Sequence, residues 1–203
     1  MSISRARDLL RKAETAKPGL RQNLLLAAAL SEVISPPPVV VGGTAEEFWG
    51  GHEYHQTDLD LVGHLTPLHR ASLETLGFER RGREWIRAGT PFVIEFPDTR
   101  IDGDDQRIET RRVGGGSFRI IGLEDLYIDR LKQATVAESQ VDIHFQSSLA
   151  VAASRYDDID WTYVSSRIAA TLKSEPHVGH AMRRVNSRVR SRARRALSRS
   201  PGA

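Results

Sequence analysis

Polar and apolar residues interleave over residues 4–15 and predict a short helix, which Lys17-Pro18-Gly19 breaks. Residues 20–34 are rich in Leu and Ala and predict a second, well-buried helix, ended by Ser35-Pro36-Pro37-Pro38. Three consecutive valines, Val39 to Val41, run into Gly42-Gly43; this predicts a buried strand and a tight turn. Thr44 to Trp49 predicts a short helix with Thr44 as its N-cap, closed by Gly50-Gly51. Polar and apolar positions alternate through Thr57-Asp-Leu-Asp-Leu-Val62, the pattern of a strand. Pro67 to Leu76 predicts a helix with Pro at its start and Gly77 as its C-cap.

Three more strands are predicted over Glu84–Ala88, Pro91–Phe96 and Gln106–Val113. Gly114-Gly115-Gly116 forms a hairpin turn into a fourth, Ser117–Ile121. Leu123–Lys132, Val136–Ser154 and Asp157–Lys173 predict three helices, after which Pro176 and Gly179 interrupt. The order is helices, a mixed sheet, then helices, which defines an α+β chain with a C-terminal helical bundle. The expected divisions are N-terminal helices over 1–34, a core over 35–122, a helical region over 123–182 and an Arg-rich tail over 183–203.

The 203 residues are ordinary in composition, 39% hydrophobic and 27% charged, and long enough to bury a core without staples. The absence of cysteine excludes disulfides, a thiol nucleophile and thiolate-bound metal. The longest apolar run, Leu24 to Leu30, is far short of the ~20 residues of a membrane span. A cytoplasmic protein with no membrane partner is the expectation. The net charge of +3 conceals an asymmetry: residues 183–203 hold eight Arg and no acid, so residues 1–182 carry a net charge of −5.

The chemistry centres on Asp58 and Asp60. Residues i and i+2 of a strand share a face, so the two carboxylates project together, about 6.6 Å apart along the strand. Such a pair repels unless it shares a hard cation, and Mg²⁺ or Mn²⁺ takes oxygen ligands. If the strand Pro91–Phe96 neighbours this pair, Glu95 completes an acidic triad able to ligate metal or accept a proton. The turn at Gly42-Gly43, leading into a helix, offers backbone N–H groups to a phosphate. Glu46 and Glu47 would repel that phosphate unless they point away.

Other constellations fail on spacing. His52-Glu53-Tyr54-His55 is not His-Glu-x-x-His, Gly114–Gly116 lacks the Lys-Ser/Thr of a P-loop, and Asp102-Gly-Asp-Asp105 lacks the later Glu of a calcium loop.

In its order of elements the chain resembles the DNA polymerase β-type nucleotidyltransferase superfamily: Val39-Val-Val-Gly42-Gly43, then Thr57-Asp58-Leu-Asp60-Leu-Val62 fifteen positions on from Gly43 to Asp58, then Glu95. It is most similar to the small bacterial and archaeal nucleotidyltransferases of abortive-infection and toxin–antitoxin type. Leu76-Gly77-Phe78, Glu124-Asp125-Leu126 with Arg130 and Lys132, and Ile159-Asp160-Trp161-x-Tyr163 carry this further likeness, which covers about residues 35–172. The resemblance implies a mixed-sheet nucleotidyltransferase core. It implies that Asp58, Asp60 and Glu95 hold Mg²⁺ or Mn²⁺, and that Gly42, Gly43, Thr44, Thr57, Arg130 and Lys132 bind the NTP. The implied reaction moves a nucleoside monophosphate to an acceptor: an RNA end such as that of a tRNA, a protein hydroxyl or a small molecule. A cognate toxin or antitoxin is an implied partner. The chain departs from the pattern at His52–Gln56, where relatives carry a basic residue before the Thr.

Two further readings stand beside it. One is a non-catalytic protein of the same fold that binds a partner or RNA. The other gives Arg183, Arg184, Arg188, Arg190, Arg192, Arg194 and Arg195 a nucleic-acid-binding role through phosphate neutralisation.

Overall fold

The structure, a computed structural model, describes residues 2–51, 58–136 and 143–198. Residues 2–48 and 58–122 gather into one unit, and residues 49–51 and 123–198 into a second.

The first unit opens with α1 (Ile3–Thr15), whose N-cap Ser2 accepts a hydrogen bond from the Arg5 N–H. Ala6, Leu9, Leu10 and Ala13 recur at three- and four-residue spacing and form its buried stripe. In α2 (Leu20–Ser31) every residue from Leu24 to Leu30 is buried, as befits a helix that is apolar all round.

Among the described residues seven strands follow: β1 (Val39–Val40), β2 (Leu59–Val62), β3 (Phe78–Arg81), β4 (Glu84–Arg87), β5 (Val93–Asp98), β6 (Glu109–Val113) and β7 (Gly116–Ile120). They form one mixed sheet in the order β3-β4-β5-β2-β1-β7-β6. The pairs β2–β5 and β1–β7 are parallel; the others are antiparallel. Val40, Leu59, Leu61, Ile94 and Ile120 are fully buried and form the apolar centre of the sheet. Two helices connect the strands, α3 (Gly42–Gly50) and α4 (Pro67–Thr75). The α4 N-terminus carries a reciprocal cap: Thr66 Oγ1 accepts from the His69 N–H, and the His69 ring accepts from the Thr66 N–H.

Several elements differ from the sequence expectation. The strand β3 was not expected; Gly82, at φ +63°, turns it into β4 through a two-residue loop. The segment Asp105–Arg107 is a 3₁₀ turn, so the expected strand from Gln106 begins at Glu109. Thr44 does not cap α3: the helix already starts at Gly42, because Gly42 at φ +63° makes the turn out of β1.

The second unit is helical: α5 (Leu123–Ala134), α6 (Ile143–Ser154), α7 (Trp161–Ser174) and α8 (Pro176–Leu197). Val136, expected to open a helix, is an exposed turn residue, and residues 137–142 lie outside the described ones. Asp160 caps α7, accepting from the N–H groups of Thr162 and Tyr163. The expected interruption at Pro176 is the break between α7 and α8, at Glu175, whereas Gly179 does not interrupt α8. Pro176 stands at the first helical position, where no hydrogen bond is lost. Gly179 lies against the Leu172 backbone, and a Cβ there would overlap it. Gly179, Met182, Asn186, Val189 and Ala193 form the buried face of α8, which is continuous through the expected boundary at 183. Tyr127 is enclosed in this bundle, donating its hydroxyl to Asn186 Oδ1 at 2.8 Å and meeting Trp161 edge-on. Among the described residues no helix is long and apolar enough to cross a membrane.

Candidate active site

Alternation along β2 puts Leu59 and Leu61 into the core and leaves Asp60 half-buried on the other face. On β5, Ile94 is buried and Glu95 takes the opposite face in the same way. Asp60 and Glu95 are register partners in the parallel pair β2–β5. Neighbours in register on adjacent strands share a face, so these two carboxylates stand side by side. The condition attached to Glu95 by the sequence is therefore met. Asp58 sits half-buried just ahead of β2.

The α3 N-terminus abuts this pair. The Val41 N–H donates to the Asp60 carbonyl at 3.1 Å. A Cβ on Gly42 would overlap the Asp60 carboxylate and lie 2.9 Å from its Cγ. Gly42 is thus required twice, by its positive φ and by the side chain that fills its empty flank. Gly43 follows in the first turn of α3. Thr44, third in that turn, is fully buried, and its hydroxyl accepts from the Asn23 side chain at 3.1 Å. Glu46 and Glu47 are also buried. Thr57, with His52–Gln56, lies outside the described residues.

One carboxylate escaped the sequence reading. Glu84 is the antiparallel register partner of Glu95, so Glu84, Glu95 and Asp60 form a row across three strands. The short turn at Gly89, φ +72°, was the available signal, since a hairpin there folds β4 back on β5 and brings Glu84 beside Glu95. Arg83, 88% exposed, reaches Glu95 at 3.7 Å from the solvent side. Among the described residues no three His, Asp or Glu side chains converge into a ready-made metal site. Like charges spread apart when nothing neutralises them. The donor set itself, carboxylate oxygens in strand register, fits a hard divalent cation such as Mg²⁺ or Mn²⁺.

Arg130 and Lys132 belong to α5 in the second unit. Arg130 is buried, donating to Gln133 Oε1 at 2.8 Å, with Asp129 at 3.6 Å; Lys132 is half-buried. The Glu124-Asp125 pair organises the bundle. Glu124 Oε1 accepts from the Asp160 N–H at 2.9 Å. Asp125, with no exposure, accepts from the Tyr163 hydroxyl at 2.7 Å, and Arg167 donates to the same Tyr163 oxygen at 3.0 Å. Burial and then the Asp125 hydrogen bond push the Tyr163 phenol up to about 12. Arg183, Arg184, Arg188, Arg190, Arg192, Arg194 and Arg195 all lie on α8; Arg190 and Arg192 are half-buried and the other five exposed.

Two solved structures share this fold. One is the antibiotic-resistance factor ANT(2'')-Ia, at TM-score 0.51 and 17% identity, over 79% of this chain and 96% of that one. The other is an antigenic nucleotidyltransferase-like protein from Paracoccidioides brasiliensis, at TM-score 0.51 and 13% identity, over 83% of this chain and 94% of that one. The chain has the α+β fold of these proteins. No family model and no curated protein sequence matches the chain.

Proposed function

We propose that the chain is a metal-dependent nucleotidyltransferase, which moves a nucleoside monophosphate from an NTP to an acceptor hydroxyl. The observation that carries this reading is the parallel register of Asp60 with Glu95 beside the Gly42-led N-terminus of α3. Asp58 and Asp60, with Glu95, would hold Mg²⁺ or Mn²⁺. Such a cation, when bound, neutralises triphosphate charge. The first-turn N–H groups of α3, from Gly42, Gly43 and Thr44, suit the phosphates by hydrogen bonding and helix dipole. Thr57, Arg130 and Lys132 are further nucleotide contacts in this proposal.

In the reaction the acceptor oxygen bonds to the α-phosphorus and the bond from that phosphorus to the bridging oxygen breaks. Pyrophosphate leaves with the electron pair. The acceptor proton goes to a carboxylate, for which Glu95 is suited by its partial exposure of 17%. The acceptor is an RNA end, tRNA included, a protein hydroxyl or a small molecule. The setting is the cytoplasm, where NTPs are available, and a cognate toxin or antitoxin is a candidate partner.

A non-catalytic module of the same fold is the second reading. It is favoured by the sequence His52–Gln56, which lacks the basic residue that relatives carry before the Thr. Calorimetry of each NTP with Mg²⁺, on the wild type and on Asp58→Ala/Asp60→Ala, separates the two. Metal-dependent binding that the double variant loses is the expected result. A folded wild type that binds no NTP would establish the second reading.

A further inference from the structure

The positive charge of α8 is not spread evenly around the helix. Its buried face, centred on Met182, Asn186, Val189 and Ala193, packs within the second unit. Beside that face runs an open groove of about 630 Å³. Arg183, Arg190 and Arg194 line it, with Ser187 and Ser191 between them and Tyr156 on the facing wall. Residues 183, 187, 190 and 194 are spaced by three and four, one stripe of a helix. The short serines leave the floor open between the guanidinium groups.

Tyr156 is the aromatic residue of the lining. The Tyr156 ring lies 5.1 Å from that of Trp161, and the Arg190 guanidinium sits over the Trp161 ring at 4.4 Å. Tyr156 is half-buried, so part of its surface opens into the groove. Arg192 is spent otherwise: it lies over the Phe145 ring at 5.3 Å. Two acids follow Tyr156 in the chain: Asp158 is engaged by Arg155 at 3.4 Å, and Asp157 is exposed. After Glu175 the described part of α8 contains no acidic residue.

We propose that this groove binds a single strand of RNA or DNA, its phosphates on the exposed Arg183 and Arg194 and a base against Tyr156, while Arg190 stays over the Trp161 ring. Guanidinium groups hold phosphate oxygens with a planar fork, and serine hydroxyls hydrogen-bond the same backbone. An unpaired base has an open face to lay on a tyrosine, whereas a duplex keeps its bases stacked on one another. The pairing of a basic stripe with an aromatic ring therefore favours a single strand over a duplex or an acidic protein. The proposal is independent of the carboxylate site and holds for either reading of it.

The test uses the full chain and a fluorescein-labelled oligouridylate of about 12 nucleotides, within the span that such grooves cover. Anisotropy titrations across a salt series give the slope of log K against log salt. Arg183→Gln/Arg194→Gln, both exposed positions, is expected to make that slope shallower by about 1.4, from ~0.7 per phosphate contact on a single strand. Arg184→Gln/Arg188→Gln, which removes the same charge from the outer face of α8, is expected to change it less than half as much. Equal changes would reduce the effect to net charge and overturn the groove. Tyr156→Leu is expected to weaken binding about fivefold or more at unchanged slope, as loss of stacking on a neutral ring requires. No loss in Tyr156→Leu, with its thermal melt intact, would overturn the stacking role. Tighter binding of a duplex of equal length, or of polyglutamate, would overturn the choice of ligand.

Discussion

The Asp60 carboxylate occupies the space where any side chain on Gly42 would begin. Gly42→Ala therefore meets two penalties at once, a left-handed backbone with a Cβ and an overlap with Asp60. The expected cost is about 1–3 kcal/mol of stability. The carboxylate must also shift, so NTP binding should weaken beyond what unfolding explains. Urea denaturation with calorimetry at a folded temperature measures both. An Ala variant that keeps its stability and its nucleotide affinity would show that Gly42 does not hold Asp60 in place.

The row Glu84–Glu95–Asp60 makes a prediction of opposite sign. Like charges directly opposite on neighbouring strands destabilise by about 0.2–1 kcal/mol per pair. Glu84→Gln is expected to raise the metal-free urea midpoint, by a free energy in that range once the shift is multiplied by the m-value. Mg²⁺ should raise the midpoint of the wild type, because a ligand bound only to the folded state adds to its stability. Asp60→Asn should abolish the Mg²⁺ response while keeping the metal-free protein as stable or making it more so. A metal response that survives in Asp60→Asn would move the cation elsewhere.

These two sites mark what could be read from the sequence. The strand at Leu59–Val62, the glycine pair and Glu95 were all legible, because alternation and glycine are local signals. The contact of β2 with β5 was not: α4 and the β3–β4 hairpin intervene, and only the sheet order makes Glu95 a neighbour of Asp60. The strand β3 was missed because Phe78 alone is buried, and Glu79, Arg80 and Arg81 face solvent at the sheet edge. A strand with one face exposed and an outer edge leaves little apolar pattern. In α8 the arginines hid the opposite feature. Met182, Val189 and Ala193 keep a helical stripe, yet the charge between them suggested a loose tail. Gly179 likewise suggested a break, though its role is to let two helices touch.

The Tyr163–Asp125 hydrogen bond gives the second unit an alkaline limit. The folded protein holds the Tyr163 proton up to about 12, against 10.0 for a free phenol. A group whose pKa is raised on folding contributes stability fully present below the unfolded value. That contribution is lost as pH rises through the folded one, here over the window from 10.0 to about 12. Burial pushes the Tyr127 phenol up as well, so it adds to the same decline. Tyr163→Phe is expected to lower stability near neutral pH, since Asp125 loses its 2.7 Å partner, but to flatten the alkaline decline. Urea midpoints at about pH 9 and about pH 11.5 test this slope. Parallel declines in the two proteins would remove Tyr163 as the source.

Gly179 and its neighbour His180 offer a pair of alanine substitutions, one on the buried face of α8 and one on its exposed face. By helix propensity alone, Gly179→Ala should stabilise α8 by about 0.8–1 kcal/mol. The position faces the Leu172 backbone of α7, however, and the added Cβ would lie 2.8 Å from the Leu172 Cβ and closer still to the main chain. Backbone cannot rotate away as a side-chain tip can, so α7 and α8 must separate. Overpacking of this kind costs about 1–3 kcal/mol, which outweighs the propensity gain, and the melting temperature is expected to fall. His180 is exposed one residue further on, and His180→Ala meets nothing. It should gain up to about 0.7 kcal/mol from propensity and raise the melting temperature. Thermal melts of the two variants should thus move in opposite directions. A rise in both would mean that α7 and α8 do not approach as closely at Gly179 as the fold requires.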